Sequence, residues 1–115
     1  MKRYCQTLDL KEGEAIAAEY EYWHSPEHIW PEIPEGIRAV GILNMEIYRL
    51  GSRLFMIVET PDDFEWDVAF ARLAEMNRQA EWEDFVAQFQ QVVAGSSSAQ
   101  KWQLMKRVFS LTECK

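Results

Sequence analysis

A chain of 115 residues with 48% hydrophobic and 27% charged residues has the composition of one compact domain with a real core, spanning 1–115, and not that of a disordered, collagenous or disulfide-stapled protein. Twelve Lys and Arg stand against 19 Asp and Glu, a net charge of −7, so there is no basic field to hold a phosphate backbone and nucleic acid is excluded as a natural partner. No apolar run reaches the roughly 20 residues of a membrane span, and the opening MKRYCQTLDLKEGE turns acidic before a signal-peptide core develops, so a cytoplasmic protein without membrane contact is expected.

Arg3 to Leu10 alternate loosely and read as a first strand, closed off by Gly13. Ile16, Tyr20 and Trp23 then recur at helical spacing, and Ser25-Pro26 stops that helix because proline disfavours helical geometry in the residue before it. Trp30-Pro31 predicts an extended approach to a second short helix over 33–40. Leu43 to Leu50 and Arg53 to Glu59 form a hairpin across Gly51-Ser52, where glycine supplies the positive φ of a two-residue turn. Thr60-Pro61-Asp62-Asp63 reads as a helix start. Trp66, Ala69, Phe70, Leu73 and Met76 mark one helical face, Trp82, Phe85, Val86, Phe89 and Val93 another, with a break at Asn77. Gly95 to Ser98 is a flexible segment, and Trp102 to Leu111 alternates as a last strand.

The order strand, helix, strand, strand, helix, strand is the βαββαβ pattern of a ferredoxin-like α+β sandwich, in which helices cover one sheet face. Met45, Ile47, Met56, Val58, Leu104 and Val108 make both faces partly apolar, so a homodimer of the dimeric α/β barrel type is expected to cover the open one.

The chemistry-bearing residues are few. His24 and His28 have helical spacing, but Pro26 separates them and no HExxH pattern or nearby cysteine completes a metal site, so no metal is expected. Cys5 and Cys114 read as independent thiols. Nucleotide, phosphate and serine-nucleophile motifs are absent, which leaves simple proton transfer without a cofactor. His24 has two readings, a cap on the broken helix end or a functional imidazole. Tyr20 one turn earlier, with Trp23 and Trp30 flanking the same loop, favours the second, because aromatic faces packed on C–H surfaces and polar tips that fix hydroxyls describe a monosaccharide pocket. Glu46 and Glu59 lie in strands, where a carboxylate faces either a pocket or an arginine on an exposed surface.

Tyr20-Glu21-Tyr22-Trp23-His24-Ser25-Pro26 followed by Ile29-Trp30-Pro31-Glu32-Ile33 resembles the signature of the L-rhamnose mutarotase family, and the similarity continues through Gly41, Ile47-Tyr48, the Leu54 to Glu59 strand, Trp82 and Val108-Phe109. The resemblance implies a small ferredoxin-like dimer that interconverts the α and β anomers of a 6-deoxy sugar without metal or cofactor. It makes His24 the proton donor and Tyr20 a substrate contact. Met45 stands where rhamnose-type members carry tyrosine, and Trp82-Glu83 where they carry a tandem tryptophan; Glu27 and His28 lengthen the loop between the two motifs. The pattern is similar to the branch labelled L-fucose mutarotase, which favours L-fucose over L-rhamnose.

Ring opening needs a proton delivered to the ring oxygen and another removed from the anomeric hydroxyl, work that an imidazole titrating near neutrality performs in either direction. The expected catalytic pair is His24 and Glu83, with Tyr20, Trp30, Met45 and Trp82 binding the sugar. Two other readings use the same fold: a non-catalytic sugar-binding module, and a cofactor-free monooxygenase.

Overall fold

The computed structural model describes residues 1–93 and 95–115. Its elements are β1 (Lys2–Asp9), α1 (Glu14–His24), α2 (Glu32–Ala39), β2 (Asn44–Leu50), β3 (Arg53–Thr60), α3 (Trp66–Ala74), α4 (Gln79–Ala87), α5 (Ser98–Lys101) and β4 (Gln103–Leu104). The four strands form one antiparallel sheet in the order β2-β3-β1-β4, the ferredoxin-like arrangement that the element order predicts.

Strand register decides which residues meet the helices. β1 opposes β3 from Lys2↔Thr60 to Asp9↔Arg53, and β2 opposes β3 from Asn44↔Glu59 to Leu50↔Arg53. Cross-strand partners share a face, so Leu8, Leu54, Met56, Val58, Met45 and Ile47 all point to the helical layer. There they pack with Ala17, Tyr20, Ile33, Phe70, Leu73, Trp82, Val86 and Phe89 in a continuous core. Met45, Ile47, Met56 and Val58 therefore belong to the covered face alone, and the apolar character of the open face comes from Cys5, Phe55, Ile57, Tyr48 and Leu50 instead.

Local chemistry accounts for most element ends. Ser25, at ψ 153°, leaves helical geometry just before Pro26 and terminates α1 at His24. Gly51, at φ 60°, turns the hairpin in the left-handed region that glycine enters without a Cβ clash. Pro31 is itself helical, at φ −56° and ψ −31°, so the predicted extended approach is a helical start at that residue. α3 and α4 are separated around Asn77, and the turn is made by Arg78 in the left-handed region at φ 62°.

Three further expectations change. Thr60-Pro61-Asp62-Asp63 does not start a helix: Thr60 ends β3 fully buried, the Asp62 carboxylate takes the N-terminal ammonium of Met1, and α3 begins only at Trp66. Ser98 opens a four-residue helix, whose capping box joins Ser97 and Gln100. The last strand is two residues long, because only Gln6 and Thr7 of β1 pair with it, and Met105 adds a single bond to the Cys5 carbonyl. Beyond that the alternating residues have no neighbouring strand, and Val108 and Phe109 are 89% and 68% exposed.

Leu10 is fully buried beyond β1 and bridges to Gln90. Leu10→Ala is expected to cost about 2–5 kcal/mol of stability through lost burial and the cavity left behind, read as a lowered urea midpoint. A change below about 0.5 kcal/mol would show that this end of the core is not packed as described.

Candidate active site

A cavity of about 740 Å³ opens between α1, α2, the β2–β3 hairpin and α4. Tyr20, His24, Met45, Trp82 and Glu83 all line it, although they come from three separate elements. Trp30 stands outside this wall. Its ring packs behind Trp82 at 5.1 Å and beside Phe85 at 5.4 Å, with the Arg78 guanidinium 4.1 Å over its face. Arg78 also reaches Glu32 at 3.6 Å and Glu81 at 3.5 Å, which ties the Ile-Trp-Pro-Glu segment to the start of α4.

His24 is held by the helix it ends. Its Nδ1 lies 2.7 Å from the Tyr20 carbonyl oxygen, and since a carbonyl can only accept, Nδ1 carries the proton and Nε2 keeps a lone pair. The ring stacks on Tyr20 at 4.0 Å and meets the edge of Trp82 at 5.1 Å. Burial penalises the charged imidazolium and lowers the His24 pKa below its usual value; the bond to the Tyr20 carbonyl opposes that shift without cancelling it. Tyr20, 3% exposed, is pushed well above the ordinary phenol range, first by burial and then by the negative charge of Glu83, against a lowering from the Gln90 side chain. At neutral pH the site thus holds a neutral imidazole beside an un-ionised phenol.

Glu83 is a buried carboxylate with both oxygens engaged. Lys101 Nζ donates to Oε1 at 3.0 Å, and Gln79 Nε2 donates to Oε2 at 2.7 Å. The same ammonium donates to the Glu83 main-chain carbonyl at 2.5 Å. Sequence reasoning missed Gln79, Gln90 and Lys101. The four-residue spacing of Gln79 and Glu83 was a usable signal, whereas nothing in sequence marks a lysine as buried, since lysines almost always stay in water.

The remaining polar candidates lie elsewhere. Glu59 is on the open sheet face, where Arg3 and then Asn44 hold its carboxyl below the usual range; Glu46 is exposed on the same face. His28 stacks on Tyr22 at 3.9 Å, and its Nδ1 sits 2.8 Å from Ser25 Oγ. Cys5 and Cys114 are both free. Among the described residues no helix is long and apolar enough to cross a membrane.

Fold and cavity together define a ferredoxin-like α+β protein with a histidine and tyrosine at a small-molecule pocket. A model of L-rhamnose mutarotase matches residues 3–111, and the chain belongs to the L-rhamnose mutarotase family. It is 37% identical over 113 residues to an L-fucose mutarotase of Xanthomonas campestris pv. campestris, covering 98% of this chain and 90% of that protein. It is also 32% identical to a UPF0734 protein of Dictyostelium discoideum, with coverage of 96% and 90%. The crystal structure of an L-rhamnose mutarotase from Formosa agariphila has the same fold, with a TM-score of 0.73 at 21% identity and coverage of 96% of this chain and 99% of that one. The protein is accordingly an isomerase of the mutarotase class, a class that acts without a cofactor.

The tautomer and charge of His24 are directly measurable. Long-range ¹H–¹⁵N NMR is expected to show protonated Nδ1 and unprotonated Nε2 at pH 7, with a titration midpoint below the usual value of about 6.5. Because the unfolded chain binds this proton at a higher pH than the folded one, His24 also makes stability fall as pH drops from about 6.5 toward the folded-state midpoint. A midpoint at or above 6.5 would contradict the burial argument.

Proposed function

We propose that this protein interconverts the anomers of a 6-deoxy-hexose, with L-fucose favoured over L-rhamnose, and that His24 carries the proton. One observation supports this most: an imidazole whose Nδ1 is satisfied by its own helix stands at the cavity wall with Nε2 unprotonated. Nε2 takes the proton of the anomeric hydroxyl, the bond from the anomeric carbon to the ring oxygen breaks, and the imidazolium returns that proton to the ring oxygen. Rotation of the open aldehyde and reversal of these steps closes the ring on its other face. His24 therefore acts first as acceptor and then as donor, and atoms balance without a co-reactant.

Glu83 is the fixed anion of this scheme. Both of its oxygens already accept hydrogen bonds from Lys101 and Gln79, so it is a poor proton carrier. It accepts from a sugar hydroxyl instead and favours the transient imidazolium. Tyr20 keeps its O–H and donates to the substrate; Met45 and Trp82 supply apolar surface, and Trp30 acts through Trp82 as a support.

The preference for L-fucose rests on Met45 and Glu83, which replace an aromatic pair by a flexible thioether and a strong acceptor, and on the similarity to an L-fucose mutarotase. The two sugars differ in hydroxyl orientation, so a fixed acceptor distinguishes them by the cost of one unpaired buried polar group, about 1–3 kcal/mol. A homodimer through the open sheet face completes the proposal. Tyr48 and Leu50 of that face are 54% and 84% exposed, and the unpaired alternating residues after β4 are suited to add to a second sheet. Light scattering at micromolar concentration is expected to give about twice 13.5 kDa; a clean monomer would remove the dimer from the scheme.

NMR exchange spectroscopy with catalytic protein is expected to show anomer exchange above the buffer rate, faster for L-fucose than for L-rhamnose. His24→Ala should lower the rate by roughly 10²- to 10⁴-fold while His28→Ala is mild. Line broadening without exchange would identify a binding module instead, and a folded His24→Ala variant at the unmodified rate would remove His24 from the chemistry.

A further inference from the structure

The least expected group in the core is the side chain of Lys101, which has no exposure to solvent at all. It arrives from α5, a short helix absent from the sequence reading, whose start is fixed by the reciprocal Ser97–Gln100 capping bonds. Trp102, the next residue, is buried and lines the cavity, which anchors the segment from the other side. The ammonium then donates to the side chain and to the backbone of one residue, Glu83.

A buried ion pair adds little to stability over apolar residues of the same volume, since desolvation consumes most of the Coulomb gain. Around this one the neighbouring elements offer apolar packing in quantity: α3 brings Phe70 and Leu73, and α4 brings Val86. The groups that face Glu83 with charge or polarity are Lys101 from α5, Gln79 on its own helix and the Tyr20 phenol from α1; Asp84, next in sequence, is exposed. The arrangement fixes a carboxylate in orientation and in charge at the wall of the cavity that also holds His24.

We propose that Lys101 is a positioning residue, a buried ammonium that keeps Glu83 an ionised and oriented acceptor at the substrate cavity. This rests on the mutarotase reading given above for its effect on rate, but not for its effect on Glu83 itself. Gln79 completes the device by holding the second carboxylate oxygen, so that Glu83 is not free to rotate. With Lys101 removed, a carboxylate in the same low-dielectric surroundings loses its compensating charge, and protonation becomes the way to remain buried.

The test uses the full chain and the variants Lys101→Met, Lys101→Arg and Glu83→Gln with Lys101→Met. Titration of the glutamate side-chain carbons by ¹³C NMR is expected to place the Glu83 carboxyl at least about one pH unit higher in Lys101→Met than in the unmodified protein, and Lys101→Arg to move it back. In the exchange assay with L-fucose, the rate at neutral pH falls in Lys101→Met and is recovered in part by Lys101→Arg, which keeps the buried cation. In the folded double variant the rate is reduced about tenfold or more because the anion is gone. If Lys101→Met lowers stability or rate without moving the carboxyl titration, the lysine only fills space and the proposal fails. Absence of exchange in the unmodified protein on every sugar would overturn the mutarotase reading; the carboxyl titration would still decide the role of Lys101. The double variant restores a neutral pair, which guards against a single variant that does not fold.

Discussion

The bond from His24 Nδ1 to the Tyr20 carbonyl is the contact on which the rest of the site depends. It exists because α1 ends where Ser25-Pro26 forbids another turn, leaving His24 at a helix terminus with its ring folded back on the preceding turn. The bond fixes the tautomer and stacks the ring on Tyr20, and further aromatic contacts hold that stack. Phe89 meets Tyr20 edge-on at 6.4 Å, Trp82 meets His24, and Trp30 meets Trp82. Arg78, over Trp30, closes this chain of contacts against α4.

The cavity wall combines two opposite electrostatic solutions. His24 is half-buried and Tyr20 buried, and both are neutral, with burial acting against the charged form of each. Glu83 is buried beside a lysine that compensates its charge. A neutral acceptor and a lysine-paired carboxylate in one cavity suit the proposed transfer of a single proton between two oxygens of the same substrate. Little driving force is needed, because mutarotation proceeds slowly without any catalyst, and a few kcal/mol of barrier lowering correspond to several orders of magnitude in rate.

The fold was legible wherever local chemistry acts alone. The stop at Ser25-Pro26 and the turn at Gly51 follow from proline geometry and glycine freedom, whereas the face that Met45, Ile47, Met56 and Val58 share came only with the strand register. What escaped was tertiary in origin. The alternation from Trp102 to Leu111 is a true strand pattern, but a strand also needs a partner, and β1 offers that edge for only two residues. Thr60-Pro61-Asp62-Asp63 has the sequence look of a helix start, yet Thr60 is taken up in the end of β3 and α3 begins only at Trp66. Of the site, the histidine, the phenol and Trp82 were readable from motif and spacing. Lys101 was not, because its partner lies 18 residues away and no local pattern records that separation.

The central claim is that His24 works from its neutral form, and the pH dependence of the catalysed exchange tests it most directly. With the buffer rate subtracted, kcat/KM for L-fucose should be flat through neutrality and fall below a midpoint lower than about 6.5, as protonation removes the Nε2 lone pair. A catalysed rate that rises as pH falls through 6.5 would mean that the imidazolium is the active form, and would contradict the account.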